Sequence, residues 1–133
     1  MLEGSCLCGA VAYEVDAEAG PIVHCHCETC RKAHGSAFSS VCNVPRNAFR
    51  WVRGDDVRGG YESAPGKIRN FCRTCGSHLM AERGGQPTVI LRLGCLDTPI
   101  TDTPKVHIWR SHGASWYDPK TQLPELPEGF IAS

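Results

Sequence analysis

His24-Cys25-His26-Cys27-Glu28-Thr29-Cys30 is the densest run of metal-ligand chemistry in the chain, with three thiols and two imidazoles. Its cysteines follow the order C-x-C-x-x-C. Three sulfurs so spaced can converge on one ion and leave a tetrahedral site one ligand short. Zinc closed by four protein ligands is structural, whereas three ligands and an open position make the reactive arrangement. The alternative is a second closed site completed by His24, His26 or His34. On a strand, His24 and His26 share one face while Cys25 and Cys27 point to the other, which favours the open site.

The remaining cysteines are also clustered. There are nine in 133 residues, as Cys6/Cys8, Cys25/Cys27/Cys30 and Cys72/Cys75, with Cys42 and Cys95 alone. An odd count and an N-terminus, Met1-Leu2-Glu3-Gly4-Ser5-Cys6, without signal-peptide character argue against a disulfide framework. Cysteines one or two residues apart seldom bridge each other but readily share an ion. Cys6, Cys8, Cys72 and Cys75 form a complete four-thiolate set, read as a structural zinc site whose loss unfolds the protein. Buried free thiols, or a redox pair at Cys72/Cys75, are the alternatives. Residues i and i+2 of a flat strand lie about 6.5–7 Å apart, but two sulfurs on one zinc are only about 3.8 Å apart. Cys6-Leu7-Cys8 must therefore curl, with Gly4 and Gly9 supplying the backbone freedom. Cys42 and Cys95 have no partners at ligand spacing and read as small apolar core residues.

Composition narrows the function classes. Lys plus Arg equals Asp plus Glu, at 14 each, which argues against a nucleic-acid or anionic-membrane binder. No apolar run approaches the length of a membrane span. The chain reads as soluble and cytoplasmic, and its length suits one domain over residues 1–133.

Short alternating runs separated by Gly and Pro predict an all-β domain. Strands are expected at Val11–Val15, from Ile22, over Ser36–Val44, Phe49–Arg53, Tyr61–Ser63, Lys67–Phe71, Ser77–Glu82, Thr88–Leu93 and Lys105–Arg110. One short helical turn is expected over Glu28–His34, stopped at Gly35. From Trp116 the proline-rich tail is expected to wrap the surface. His34 is the general-base candidate beside the open cluster, and Arg31 and Lys32 are placed to meet a ligand carboxylate. His78, His107 and His112 read as satisfied hydrogen-bonders.

Gly4-Ser5-Cys6-Leu7-Cys8-Gly9, then Cys25-His26-Cys27-x-x-Cys30-Arg31-Lys32 with Gly35 and Phe38, then Phe71-Cys72-x-x-Cys75-Gly76-Ser77 resemble the glutathione-dependent formaldehyde-activating enzyme family, which includes centromere protein V. Gly94-Cys95-Leu96-Asp97 and His107-Ile108-Trp109 resemble its C-terminal half. The resemblance implies an Mss4-like, β-tent fold of small antiparallel sheets. It also implies two zinc ions per chain, a structural one at Cys6, Cys8, Cys72 and Cys75 and a catalytic one at Cys25, Cys27 and Cys30.

The activity it implies is that of a carbon–sulfur lyase acting on a glutathione-like thiol adduct, as in glutathione plus formaldehyde giving S-hydroxymethylglutathione. A thiol entering the open position would lose its proton, because coordination lowers thiol pKa. Two other classes stand beside this one: a non-catalytic zinc-stabilised module that binds a protein partner, and a thiol redox or metal-storage protein.

Overall fold

The computed structural model describes residues 1–129. Strands β1 (Leu2–Ser5), β2 (Ala12–Val15) and β5 (Phe49–Arg53) form a three-stranded antiparallel sheet in the order β1-β2-β5. The larger sheet uses β3 (Ile22–Cys25), β4 (Ser39–Pro45), β6 (Arg58–Ala64), β7 (Lys67–Cys72), β8 (His78–Arg83), β9 (Thr88–Arg92) and β10 (Pro104–Ile108). Its order is β10-β3-β4-β9-β8-β7-β6. The mainly β architecture follows the sequence reading, but this sheet has seven strands and is not purely antiparallel. β10 runs parallel to β3. Parallel neighbours need a long crossover, and most of the chain lies between these two strands.

Side chains of the two sheets share one core. Leu2, Tyr13 and Val15 come from the small sheet, and Cys42, Val44, Leu79, Met80, Val89 and Leu91 from the large one. Alternation along each strand assigns the faces. On β9, Val89 and Leu91 enter this core while Ile90 and Arg92 point to the opposite face. Cys42 is a core residue, as expected, at 1% exposure. Cys95 is half-buried and donates to the His78 carbonyl at 3.2 Å.

The one helix, α1 (Glu28–His34), is bounded as its sequence predicts. The Cys27 sulfur caps its start by accepting from the Cys30 amide at 3.3 Å. Gly35, at φ 57°, ends it in the left-handed conformation and donates to the Arg31 carbonyl, the conformation that favours glycine. A helix this short has little stability of its own, so its position depends on packing against the large sheet.

Gly4 has a different role from the one expected. Gly9 and Gly76, both at φ 81°, supply the left-handed turns of the cysteine loops. Gly4 instead lies in β1 opposite Tyr13, and a Cβ there would overlap the Tyr13 ring. It is a seat for a buried aromatic. From Trp116 the chain continues without strand or helix to residue 129, and Trp116 and Leu123 are exposed. The last four residues of this tail lie outside the described residues. Among the described residues, no helix is long and apolar enough to cross a membrane.

Candidate functional site

The two cysteine sets proposed from spacing are the two that meet in space. Within each set the sulfurs lie within 4.8 Å of one another. Cys6 and Cys8 flank Leu7 on a turn closed by the Gly9 amide donating to the Cys6 carbonyl at 3.0 Å. Cys72 ends β7, and the Gly76 amide closes the second turn onto its carbonyl at 2.8 Å. Cys6 and Cys8 sulfurs are 3.7 Å apart, and Cys8 and Cys72 sulfurs 3.8 Å. Those spacings match about 3.8 Å for two thiolates on one tetrahedral zinc, so this donor set fits a closed site. The Ser77 hydroxyl ties the turns together, accepting from the Leu7 amide at 3.0 Å and lying 3.2 Å from the Cys75 sulfur. Its hydrogen bond is the main cause holding the Cys75 thiol down at about 5.

The second set is built where β3 runs into α1. Cys25 is the last residue of β3, Cys27 the helix cap, and Cys30 a buried residue one turn in. Among the described residues, no histidine nitrogen or carboxylate oxygen completes this group. The histidines beside it are engaged elsewhere. His24 Nδ1 lies 3.1 Å from the Ser40 hydroxyl, and His26 Nε2 lies 2.7 Å from His107 Nδ1. Both rings pack on Phe38. The donor set fits zinc, which these three thiolates would hold with one position left for an exogenous ligand. The Cys25–Cys30 contact is the first influence on both thiols, lowering Cys30 and raising Cys25.

These three thiols sit in a cleft of about 500 Å³. Its floor is the outer face of the large sheet: Val41 of β4, Ile90 and Arg92 of β9, Lys67 and Arg69 of β7. Arg83, Ile108, Trp109 and His112 also line it, and Glu28 is its one acid. The cleft is therefore strongly basic. Arg69 and Arg92 are only 3% and 5% exposed. Arg69 donates through Nε to the Ser63 hydroxyl at 2.8 Å, and its Nη2 lies 3.8 Å from the Cys30 sulfur. Among the described residues, Arg69 Nη1 and Arg92 Nε and Nη2 are buried without a partner. Burial first, and then the Arg69 charge, lowers Arg92 to about 10, so its guanidinium stays charged at neutral pH.

Trp109 forms part of the wall and is the one described non-glycine residue in the left-handed region, at φ 59°. Such a conformation is uncommon for a bulky side chain and marks functional sites more often than chance. His26 fixes the segment around it. The His26 amide donates to the Ile108 carbonyl at 3.0 Å, its ring meets His107, and Arg110 Nη1 lies 3.4 Å from its Nδ1. The residue between two of the thiols thus anchors the wall of the cleft.

Three sequence candidates do not join the site. His34 does not line the thiol cleft. It packs on His78 at 4.9 Å between ring centroids, and burial first, then the Arg92 charge, pushes it down to about 4. Arg31 is not among the lining residues, and Lys32 is exposed beside Glu28 at 4.0 Å. The cations that converge on the cleft come from β7, β8 and β9. In sequence each is an unremarkable charged position of an alternating strand, and only the sheet register brings them together.

A model of the family described as glutathione-dependent formaldehyde-activating enzyme matches residues 1–112. A Schizosaccharomyces pombe protein named as an uncharacterized lyase is 34% identical over 77 residues, covering 58% of this chain. The chain spans about half that relative, 54% of its length. A Halomonas elongata protein, named for the same glutathione-dependent formaldehyde activation, is 28% identical over 128 residues, covering 89% of this chain and 80% of its own. The crystal structure of a Rhodobacter sphaeroides protein superposes with a TM-score of 0.65 at 26% identity, over 79% of this chain and 97% of that one. With most of its length matched and its cysteine sets assembled in space, the chain belongs to the glutathione-dependent formaldehyde-activating enzyme family.

Proposed function

We propose that the chain is a zinc-dependent carbon–sulfur lyase that makes and breaks the adduct of an anionic, glutathione-like thiol with a small carbonyl compound. Formaldehyde, giving S-hydroxymethylglutathione, is the reference reaction. The observation that carries this reading is a three-thiol cluster that no fourth ligand completes among the described residues, set in a basic cleft. The reading takes residues 1–133 as one cytoplasmic domain with an Mss4-like arrangement of sheets. Cys6, Cys8, Cys72 and Cys75 hold a structural zinc, and Cys25, Cys27 and Cys30 hold the catalytic one.

Zinc held by three thiolates supplies acidity to an entering thiol, lowering its pKa towards neutrality. The chain's own residues do the rest. Lys67 and Arg83 stand where carboxylates remote from the reacting sulfur can meet them. Arg69 and Arg92 offset the negative charge of the cluster from below, where low exposure strengthens their effect. Ile108 and Trp109 close the side of the cleft and limit water at the reacting carbon. The thiol proton ends on the hydroxyl oxygen of the adduct, and His34 does not line the cleft to carry it.

Proton NMR exchange between glutathione and formaldehyde at equilibrium tests this reading. The protein is expected to accelerate exchange, and Cys27→Ser is expected to abolish the acceleration while the fold persists. Unchanged exchange in folded Cys27→Ser would refute it and leave the protein-binding or redox alternatives.

A further inference from the structure

Two buried guanidiniums lining one cleft, without a carboxylate partner, are an unusual thing to keep in a fold. Like charges repel, and a buried charge needs a partner. Among the described residues, neither Arg69 nor Arg92 makes a salt bridge. Their unpartnered N–H groups, Arg69 Nη1 and Arg92 Nε and Nη2, belong to side chains that line the thiol cleft.

The thiol cluster alone does not balance them. Three thiolates on a divalent ion leave one negative charge, and an entering thiolate would add a second, against three positive charges on Arg69, Arg92 and the half-buried Lys67. One further anion is needed, and its place is narrowly set. Arg69 Nη2 is 3.8 Å from the Cys30 sulfur, so an anion on these arginines lies next to the reacting atoms. The carboxylates of a glutathione-like thiol are many bonds from its sulfur and suit the more exposed Lys67 and Arg83. Formaldehyde has no charge to offer. A carboxylate attached directly to the reacting carbon does fit.

We propose that the electrophile handled at this cleft carries its own carboxylate, as a short 2-oxo acid such as glyoxylate does, and that Arg69 and Arg92 hold that carboxylate beside the thiol cluster. The inference rests on the lyase reading above. In the synthetic direction the thiol sulfur bonds the aldehyde carbon, and the C=O π bond opens. The thiol proton passes to the resulting hydroxyl oxygen, giving a 2-hydroxy-2-thio acid. No electrons are gained or lost, and no co-reactant is required. The reverse reaction releases the thiol and the oxo acid.

The test compares glyoxylate with formaldehyde as partner of glutathione on the zinc-loaded protein by NMR exchange. Calorimetric binding of oxamate, a 2-oxo acid isostere that resists thiol addition, is measured in parallel. Glyoxylate is expected to exceed formaldehyde in kcat/KM by about tenfold or more, as one charge-assisted bidentate contact allows. That preference should shrink by about tenfold in Arg92→Met and in Arg69→Met, with partial recovery in Arg92→Lys. Oxamate should bind wild type and not Arg92→Met. A preference for formaldehyde in wild type, with no oxamate binding, would overturn the proposal and leave the lyase reading standing. If neither adduct turns over, the lyase reading fails. Oxamate binding lost in Arg92→Met would then still support the carboxylate site, and its absence in wild type would overturn that site as well.

Discussion

Arg69 Nη2 lies 3.8 Å from the Cys30 sulfur although 39 residues separate them in the chain. The contact joins β7 to α1, and β7 itself ends at Cys72 of the other cluster. One strand therefore carries a thiol of the four-cysteine cluster at its end and a charged neighbour of the three-cysteine cluster in its middle. The two centres should nevertheless fail differently when they are broken.

Native mass spectrometry of protein prepared without chelator is expected to count two zinc ions per chain. Cys27→Ser should lose one ion and keep its melting temperature to within about 5 °C. Cys72→Ser removes a fully buried ligand that ties β7 to the N-terminal turn. Loss of a structural metal site removes folding free energy outright, so this variant should be largely unfolded at 37 °C by circular dichroism. A folded Cys72→Ser with an unchanged melting curve would contradict the structural role.

Gly4→Ala should destabilise without touching either cluster. The added methyl group would overlap the Tyr13 ring. That ring is 1% exposed and packed against Phe49 and Trp51, with centroids 5.0 and 6.2 Å away, so it has little room to yield. Overpacking of this kind costs about 1–3 kcal/mol, readable as a lower urea midpoint at unchanged zinc content.

His34 makes acid stability testable. Its folded pKa is depressed to about 4, by burial first and then by Arg92. Between that value and the unfolded value near 6.5, the unfolded chain binds the extra proton, so stability falls as pH drops through this window. His34→Gln should flatten the acid limb between pH 6.5 and 4 in urea titrations, by on the order of 1 kcal/mol after solvent screening. An unaltered limb would place the acid sensitivity elsewhere.

Trp109→Gly separates wall from backbone. Glycine relieves the left-handed conformation at φ 59°, a gain of about 1 kcal/mol offset by loss of the ring contact with His112 at 5.0 Å. Melting should change little. Thiol binding should weaken severalfold, because the indole lines the cleft. A large stability loss with intact binding would show the indole to be a structural prop.

Ionic strength tests the basic cleft. With Lys67, Arg69, Arg83 and Arg92 facing it, the KM for glutathione should rise between low salt and about 0.5 M, where screening shortens to a few ångströms. The KM for a neutral thiol such as 2-mercaptoethanol should stay flat. Parallel behaviour of the two thiols would argue that the arginines and lysine do not meet the substrate.

Both cysteine clusters and the bounds of α1 were legible in the chain because their causes are local. Metal-ligand spacing is a property of neighbouring residues, and thiolate preference for zinc is a property of the residue type. Gly35 at the left-handed end marks where the helix stops. Alternation and Gly/Pro punctuation located nine of the ten described strands, all but β1, and with them the mainly β architecture. The role of Gly4, the parallel pairing of β10 with β3, the withdrawal of His34 and the basic cleft were decided only by the tertiary structure. Arg69 and Arg92 look in sequence like the solvent-facing positions of amphipathic strands. Sheet register instead turns them to the face where α1 packs and Cys30 comes to rest. Which of two alternating faces becomes solvent and which becomes a cleft depends on what covers the sheet, and that is set by contacts far apart in the chain.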